Sequence, residues 1–369
     1  MLSSPVKKIV SAFALPFVFA VFANGQKPAA TPPDEDTERV FTEEIKLNVN
    51  AFDPDGNFVA DVKKEDLVIM EDGRIHQASS VRRVPANVLI VMDTGGEMRA
   101  AKSFSQTRDT ARGLINALHS EDSVAIMQYN DKVEILAEWT NKAEALKILS
   151  GKANFGRRSV FFKALETATR FLQKTPVDNR HLVLITDGTD SLNDLTEKEA
   201  AMRTLLTTDI NVHVISYTQM ELLDIAPRAK GISKTPLRVG LPPEVAATLP
   251  NGARDAATIS GGISINTDRA FLKKMRERKK SLADGEKYLA SLARDTNGEF
   301  ILPASNEEMI EKTALVARFI DSSYVVTYAP KRALSESPNG ETRNIEVTSK
   351  RADLQIEARR KLIVSGGKK

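Results

Sequence analysis

The sequence predicts an α/β fold: a doubly wound, mostly parallel sheet of Rossmann-like kind, with a small flanking β module contributed by both chain ends. Three observations carry this. The run from Ala86 is apolar and free of charge between Val88 and Met92, then meets Asp93 and the turn Thr94-Gly95-Gly96. That is the composition of a strand covered on both faces, as in a parallel sheet packed between helices. From Ala86 to Ile320 strand-like and helix-like segments alternate, the pattern of parallel strands joined by crossover helices. Before and after those limits the pattern is β-like. In such sheets the ligand crevice lies at the carboxyl ends of the strands, beside the point where strand order reverses. Asp93 stands at such an end.

With 369 residues and 41% hydrophobic content the chain can bury more than one core. Lys and Arg total 52 against 49 Asp and Glu, a formal net charge of +3, and this near-balance argues against nucleic acid or an anionic membrane as a bulk partner. The chain has no Cys, which excludes disulfides, thiolate ligands, lipid attachment through Cys and thiol catalysis.

Taken in order, Lys7 and Lys8 precede an uncharged stretch, Ile9 to Ala23, and the small or polar residues Asn24 and Gly25. The stretch is short for a membrane span and broken by Pro16, so residues 1–25 have the layout of a secretory signal peptide, the alternative being an uncleaved anchor. The chain is therefore expected outside the cytoplasm, in the periplasm, on the cell surface or secreted, with no transmembrane span after cleavage. Residues 26–40, with Pro28, Pro32 and Pro33, read as a flexible leader. Residues 41–84 read as a small β module: Ile45 to Ala51 alternates apolar and polar, Asp53-Pro-Asp-Gly56 is a turn, and apolar character resumes at Val59. Asp53, Asp55 and Asp61 lack the spacing of an EF-hand loop, so turn chemistry explains them better than calcium.

Residues 85–321 form the main domain. A helix is expected where Phe104, Thr107, Ala111, Leu114, Ile115 and Leu118 recur at helical spacing. Asp122 to Tyr129 and Val133 to Trp139 read as a hairpin around Asn130-Asp131. Helices Ala143 to Leu149 and Val160 to Gln173, strand His181 to Thr186, helix Glu197 to Leu206 and strand Asn211 to Thr218 follow. A helix around Lys287 to Arg294 stops at Asn297-Gly298, where the glycine offers a left-handed cap. Glu299 to Leu302 is the last strand, and Asn306 to Ile320 the last helix, with Ser305 and Glu308 as a capping box. Residues 219–284, rich in Pro and Gly, read as an irregular insertion, and its basic run Phe271 to Lys280 as a solvated helix face. Residues 322–364 return to strands, expected to pair with the N-terminal module because isolated hairpins are barely stable.

Three segments together resemble von Willebrand factor A-type domains. The strand ending Asp93-Thr-Gly-Gly-Glu-Met98 is similar to the family's first metal-site motif, Asp-x-Ser-x-Ser; Ser159-Val-Phe-Phe-Lys-Ala-Leu165 resembles the segment supplying its Thr ligand; Leu182-Val-Leu-Ile-Thr-Asp187-Gly188-Thr-Asp190 resembles the one supplying its second Asp. The flanking segments, Asn50 to Gly73, Leu289 to Phe300 and Tyr324 to Pro330, are similar to the bacterial "VWFA-related, acidobacterial type" family. The resemblance implies a metal-ion-dependent adhesion site for Mg2+, Mn2+ or Ca2+ at Asp93, Ser159 and Asp187. It also implies a protein partner that offers an acidic side chain, contacting Thr94, Gly95, Gly96, Gly188 and Asp190. Gly95 and Glu97 depart from it, standing where the family has ligating serines. Glu97 either ligates the cation itself or points outward, leaving the site degenerate, and Gly95→Ser with Glu97→Ser is expected to restore the family pattern.

No enzyme is expected. His76, His119, His181 and His213 are scattered, and no Gly-x-Ser-x-Gly elbow or phosphate loop occurs. The expectation is an adhesion or interaction protein with a degenerate metal site; the alternative is an assembly subunit of an envelope complex with a vestigial, metal-free site.

Overall fold

A computed structural model describes residues 43–96, 104–192, 194–233 and 264–364. The expected signal peptide and leader, Glu97 and the middle of the expected insertion lie outside the described residues.

The N-terminal strands are β1 (Ile45–Phe52), β2 (Leu67–Glu71), β3 (Arg74–His76) and β4 (Ser80–Arg82). The main domain then runs β5 (Asn87–Asp93), α1 (Phe104–Ala117), β6 (Ser123–Tyr129), β7 (Val133–Thr140), α2 (Lys142–Lys152), α3 (Phe161–Lys174), β8 (Arg180–Thr186), α4 (Leu195–Leu206), β9 (Asn211–Ser216) and α5 (Thr218–Arg228). After the short pair β10 (Ile232–Ser233) and β11 (Ser264–Ile265) come α6 (Arg269–Asp295), β12 (Phe300–Ile301), α7 (Asn306–Glu311) and α8 (Thr313–Asp321). The closing strands are β13 (Ser323–Tyr328), β14 (Thr342–Ser349), β15 (Gln355–Ala358) and β16 (Lys361–Ile363).

The main sheet has the order β12-β9-β8-β5-β6-β7, parallel throughout except for β7, which folds back antiparallel on β6. Strand β5 shows the doubly wound layering in its own side chains. Val88, Ile90 and Met92 pack on one face with Leu114 and Ile115 of α1 and Val316 of α8. Leu89 and Val91 pack on the other with Phe161 and Leu165 of α3, Leu205 of α4 and Leu289 of α6. Successive strand residues point to opposite faces, so a continuous apolar run is what two covered faces require. Because the chain leaves β5 toward β6 on one side and returns to β8 on the other, the switch point falls between β5 and β8.

Residues from both chain ends share the second core. One sheet orders β15-β1-β13-β4 and the other β16-β14-β2-β3, and Leu47, Val49, Ile69, Tyr324, Val326 and Val347 pack between them. Strand β1 pairs antiparallel with β13 from Ile45↔Tyr328 to Asn50↔Ser323.

Three local expectations are corrected. Residues 219–284 are not irregular throughout, since α5 and α6 occupy much of that span. Leu272, Met275, Leu282, Leu289 and Leu292 give α6 a buried stripe, and the prolines lie elsewhere, except Pro227 in the last turn of α5. The left-handed residue after α6 is Asn297, at φ 57°. Gly298 serves a different need, because a Cβ there would lie 1.9 Å from the Val212 carbonyl oxygen. The last helix is divided at Lys312 into α7 and α8, although Ser305 does cap it by accepting from the Glu308 amide at 3.2 Å.

A buried polar chain joins the main sheet to the flanking module. The Glu299 amide donates to His213 Nδ1 at 3.1 Å, which leaves the proton on Nε2 to bridge to His181 Nδ1 at 2.9 Å; His181 Nε2 then donates to Asn179 Oδ1 at 2.9 Å. Ser323 of β13 sits 2.9 Å from the same oxygen. Asn50 of β1 accepts from Asn297 at 2.8 Å and donates to the Phe319 carbonyl at 2.6 Å. Burial pushes His181 down to about 3, and burial together with His181 pushes His213 well below its ordinary value. Both imidazoles therefore stay neutral in the fold while an unfolded chain takes up protons below about pH 6.5. The contribution of these two groups to stability should be flat above that pH and fall on acidification, by up to about 3 kcal/mol per pH unit. Urea unfolding between pH 7.5 and 5.5 measures it: the slope should flatten in a His181→Gln, His213→Gln variant, and an unchanged slope there would assign it to other groups.

Candidate functional site

The site forms where β5 and β8 end side by side. Asp93 closes β5, and Asp187 follows the last residue of β8; both are buried. Ser159 lies in the loop before α3 and is buried too. Its hydroxyl donates to Asp93 Oδ1 at 3.0 Å, and the Gly95 amide donates to the same oxygen at 3.0 Å. Two of the three residues read as metal ligands are thus in direct contact.

The loop carrying Ser159 is held by the β6–β7 turn. Asp131 accepts the backbone amides of Arg157 at 3.0 Å and Arg158 at 3.1 Å, and the Val160 amide donates to the Asn130 carbonyl at 3.2 Å. On the other side the Ser159 amide donates to Ser191 Oγ at 2.9 Å, and the Phe162 amide to Asp190 Oδ2 at 3.1 Å. In the sequence Asn130-Asp131 reads only as a hairpin turn. In the structure it is the clamp that sets the Ser159 loop against Thr94 and Gly95.

Gly95 is where the structure corrects the sequence most sharply. A Cβ on it would fall 1.7 Å from the Arg158 carbonyl oxygen and 2.9 Å from Asn130 Cα. The side-chain space at this position, where the resemblance leads one to expect a ligating serine, is filled here by backbone, so a Ser at 95 has no room unless the Arg158 carbonyl moves. Thr94 is 1% exposed and Gly188 is buried. Gly188 has φ +69°, and a Cβ there would meet Leu289 of α6 at 2.7 Å. Among the residues expected at a partner surface, Gly96 and Asp190 are half-buried and the others are covered.

Helix α6 is the cover. A Cβ at Gly285 would lie 2.7 Å from the Asp187 carbonyl oxygen, so helix and loop approach backbone to backbone. Tyr288 packs edge-on against Phe161 and Phe162 at 6.1 and 5.8 Å, and Glu286 accepts from the Thr218 hydroxyl at 2.9 Å. The basic run behaves as a solvated face at Lys273, Lys274, Arg276, Glu277, Lys279 and Lys280, all exposed; of its charged residues Arg278 alone turns inward. Its Nη2 donates to Asp187 Oδ2 at 2.8 Å and to Glu221 Oε2 at 2.6 Å, and its Nη1 to Thr189 Oγ1 at 2.8 Å. Thr189 in turn gives its amide and hydroxyl to Asp187 Oδ1 at 2.8 and 2.6 Å. In sequence Glu221, Thr189, Arg278 and Asp131 carry no motif that marks them as site residues.

The electrostatics follow from this crowding. Tyr129 and Tyr217 are buried against the site, and burial, then the charges of Asp93 and Asp187, push both hydroxyls well above the usual phenol range. Burial works against the Arg278 charge, but Asp187 and Glu221 outweigh it and hold the guanidinium above its ordinary value. Among the described residues no group of three or more His, Asp or Glu is arranged to hold a metal ion. A small divalent cation wants about six oxygens in near-octahedral array. Here the side-chain space at Gly95 is filled by backbone and the Asp187 carboxylate is already bonded on both oxygens, so the described residues do not fit that ion.

Placing a side chain at Gly95 should therefore cost stability. Gly95→Ser is expected to lower the unfolding free energy by at least about 1–3 kcal/mol, as overpacking does. Gly151→Ala, in α2 with nothing within 4 Å of the new Cβ, should be neutral or stabilising by up to about 1 kcal/mol. Chemical denaturation of the two variants checks the contrast, and equal effects would contradict the packing described at Gly95.

Residues 88–189 match the family model described as von Willebrand factor type A domain. No curated protein matches the chain. Among solved structures, BatB from Bacteroides thetaiotaomicron is 15% identical at a TM-score of 0.39, covering 64% of this chain and 98% of its own. A von Willebrand factor type A protein from Catenulispora acidiphila is 8% identical at a TM-score of 0.42, covering 89% of this chain and 75% of its own. Manganese-loaded TRAP protein from Plasmodium vivax is 12% identical at a TM-score of 0.37, covering 82% and 100%. The chain carries a von Willebrand factor type A domain.

Proposed function

We propose that this chain is an extracytoplasmic interaction protein whose A-type domain, residues 85–321, binds another protein through the rim of the β5–β8 crevice. The strands of residues 41–84 and 322–364 act as its supporting module. The observation that carries this reading is the makeup of the rim. Arg157 and Arg158 are exposed on a loop whose backbone is clamped by Asp131, and Leu192 is 53% exposed on the loop after Asp187. The two loops are joined by the Ser159–Ser191 hydrogen bonds, and guanidinium groups on one with an exposed apolar side chain on the other suit an acidic partner segment with an apolar anchor, because Arg pairs with carboxylates in bidentate fashion. The acidic partner implied by the family resemblance fits this rim. Among the described residues no helix is long and apolar enough to cross a membrane. Delivery outside the cytoplasm rests on the Lys7-Lys8 and Ile9 to Ala23 pattern.

Export predicts a mature chain beginning near Asn24 or Gln26, read by mass spectrometry of protein from the native host; an intact Met1 on a cytosolic species would refute it. For the rim, a photo-crosslinking amino acid at Leu192 should give one discrete adduct in the native envelope, lost when Arg157→Glu and Arg158→Glu are added. The same crosslinker at Ile75, which is 60% exposed on β3, should give none. Equal adducts at both positions, or an adduct indifferent to charge reversal, would remove this face from consideration.

A further inference from the structure

The disagreement between this crevice and a divalent-ion site has a positive side, a cation supplied by the chain itself. Helix α6 is pinned on the Asp187 wall by the backbone contact at Gly188 and Gly285, by Tyr288 on Phe161 and Phe162, and by Glu286 on Thr218. Two turns before Gly285, on the same stripe as Met275 and Leu282, comes Arg278. The side chains of Asp187 and Glu221 are 2% and 3% exposed, and that of Arg278 is 22% exposed. Two desolvated carboxylates therefore share one guanidinium group. Carboxylates that close would repel one another without a positive charge between them, and a divalent ion on Asp187 Oδ2 would have to sit beside a permanently charged guanidinium group. On the opposite wall Asp93 Oδ1 is served by neutral donors, the Gly95 amide and the Ser159 hydroxyl.

We propose that Arg278 is the resident counter-cation of this A-type crevice, taking the place of a divalent metal, and that the domain holds its crevice together and meets its partner without one. This rests on reading the crevice as the A-type site, and not on who the partner is. The arginine acts as a positioning residue: it fixes Asp187, Thr189 and Glu221 in one arrangement and leaves recognition to the rim.

The test uses the full mature chain, stripped with EDTA and then titrated with Mg2+, Mn2+ and Ca2+ alone, followed by thermal unfolding and calorimetry. The natural chain should give no saturable heat and no saturable rise in Tm with any of the three ions. Arg278→Gln removes the charge and keeps a polar side chain; its Tm should drop by several degrees and should recover saturably with Mn2+ or Mg2+. Arg278→Lys keeps the charge and should remain indifferent to metal. A saturable response of the natural chain to any of the ions overturns the proposal, and this arm stands even if Arg278→Gln fails to fold. A folded Arg278→Gln chain identical to the natural one in both Tm and ion response overturns it as well. Loss of the Leu192 adduct would bear on the interaction face alone, and no outcome of the metal titration depends on that adduct.

Discussion

Buried carboxylates at the carboxyl ends of β5 and β8 are the constraint around which the rest of this crevice is arranged. Taking a carboxylate out of water is costly unless donors replace the lost hydration. Four neighbouring segments supply them. The β5 turn gives the Gly95 amide, the α3 loop gives the Ser159 hydroxyl, the β8 turn gives Thr189 twice, and α6 gives the Arg278 guanidinium. Each donor demands a close approach, which explains the glycines: Gly95 under the Arg158 carbonyl, Gly188 under Leu289 and Gly285 against Asp187. The crevice is thus closed by backbone contacts as well as by charge.

The flanking module is seated by the same principle on a longer range. Its strands from both chain ends share one apolar core, but its attachment to the main domain is strongly polar. Asn50, Asn297, Asn179, Ser323 and the His181–His213 pair form contacts that are satisfied only in one relative placement. Apolar burial is non-directional, whereas hydrogen bonds left unmade in a buried interface cost heavily. Such a joint favours a fixed orientation over a sliding one. It also explains why neutral imidazoles belong there, because a charge on either ring would remove an acceptor from the chain of bonds.

The doubly wound sheet was legible in the sequence because its central strands are apolar on both faces and its helices carry 3.6-residue periodicity. Asp93, Ser159 and Asp187 can be picked out in the sequence because they lie at strand ends and loop-to-helix starts with motif-like neighbours, and the fold brings Ser159 onto Asp93. What escaped was long-range. Arg278 sits in a run of charges that looks like a solvated face, and only its register betrays it: Met275, Arg278, Leu282 and Gly285 follow one stripe. Glu221 repeats the signal, falling between Thr218 and Ile225 on the buried side of α5. A charge on an apolar stripe marks a buried ion pair, and two such stripes in neighbouring helices mark each other. The meaning of Gly95 escaped for another reason. A glycine in place of a serine reads as a lost ligand in one dimension, whereas the fold uses it to admit a neighbouring carbonyl.

These features bear on how an A-type face can recognise a partner. Where the crevice charge is neutralised from within, no open coordination position is left for a partner's carboxylate to complete, so binding energy has to come from the rim. Arg157 and Arg158 are suited to this because their backbone is already ordered: Asp131 holds both amides, and Gly156 packs so tightly on Asn130 that a Cβ would lie 2.6 Å from Asn130 Cβ. Ordering a loop on binding costs free energy, and a loop ordered beforehand avoids that loss. Exposed guanidinium groups attract a carboxylate over roughly a Debye length, about 8 Å at physiological salt. A face of this kind would be sensitive to ionic strength and indifferent to chelators, the reverse of a metal-bridged one. On the proposed reading, the same interior charge that would close the crevice to a divalent ion would also move recognition outward, from the floor of the site to its rim.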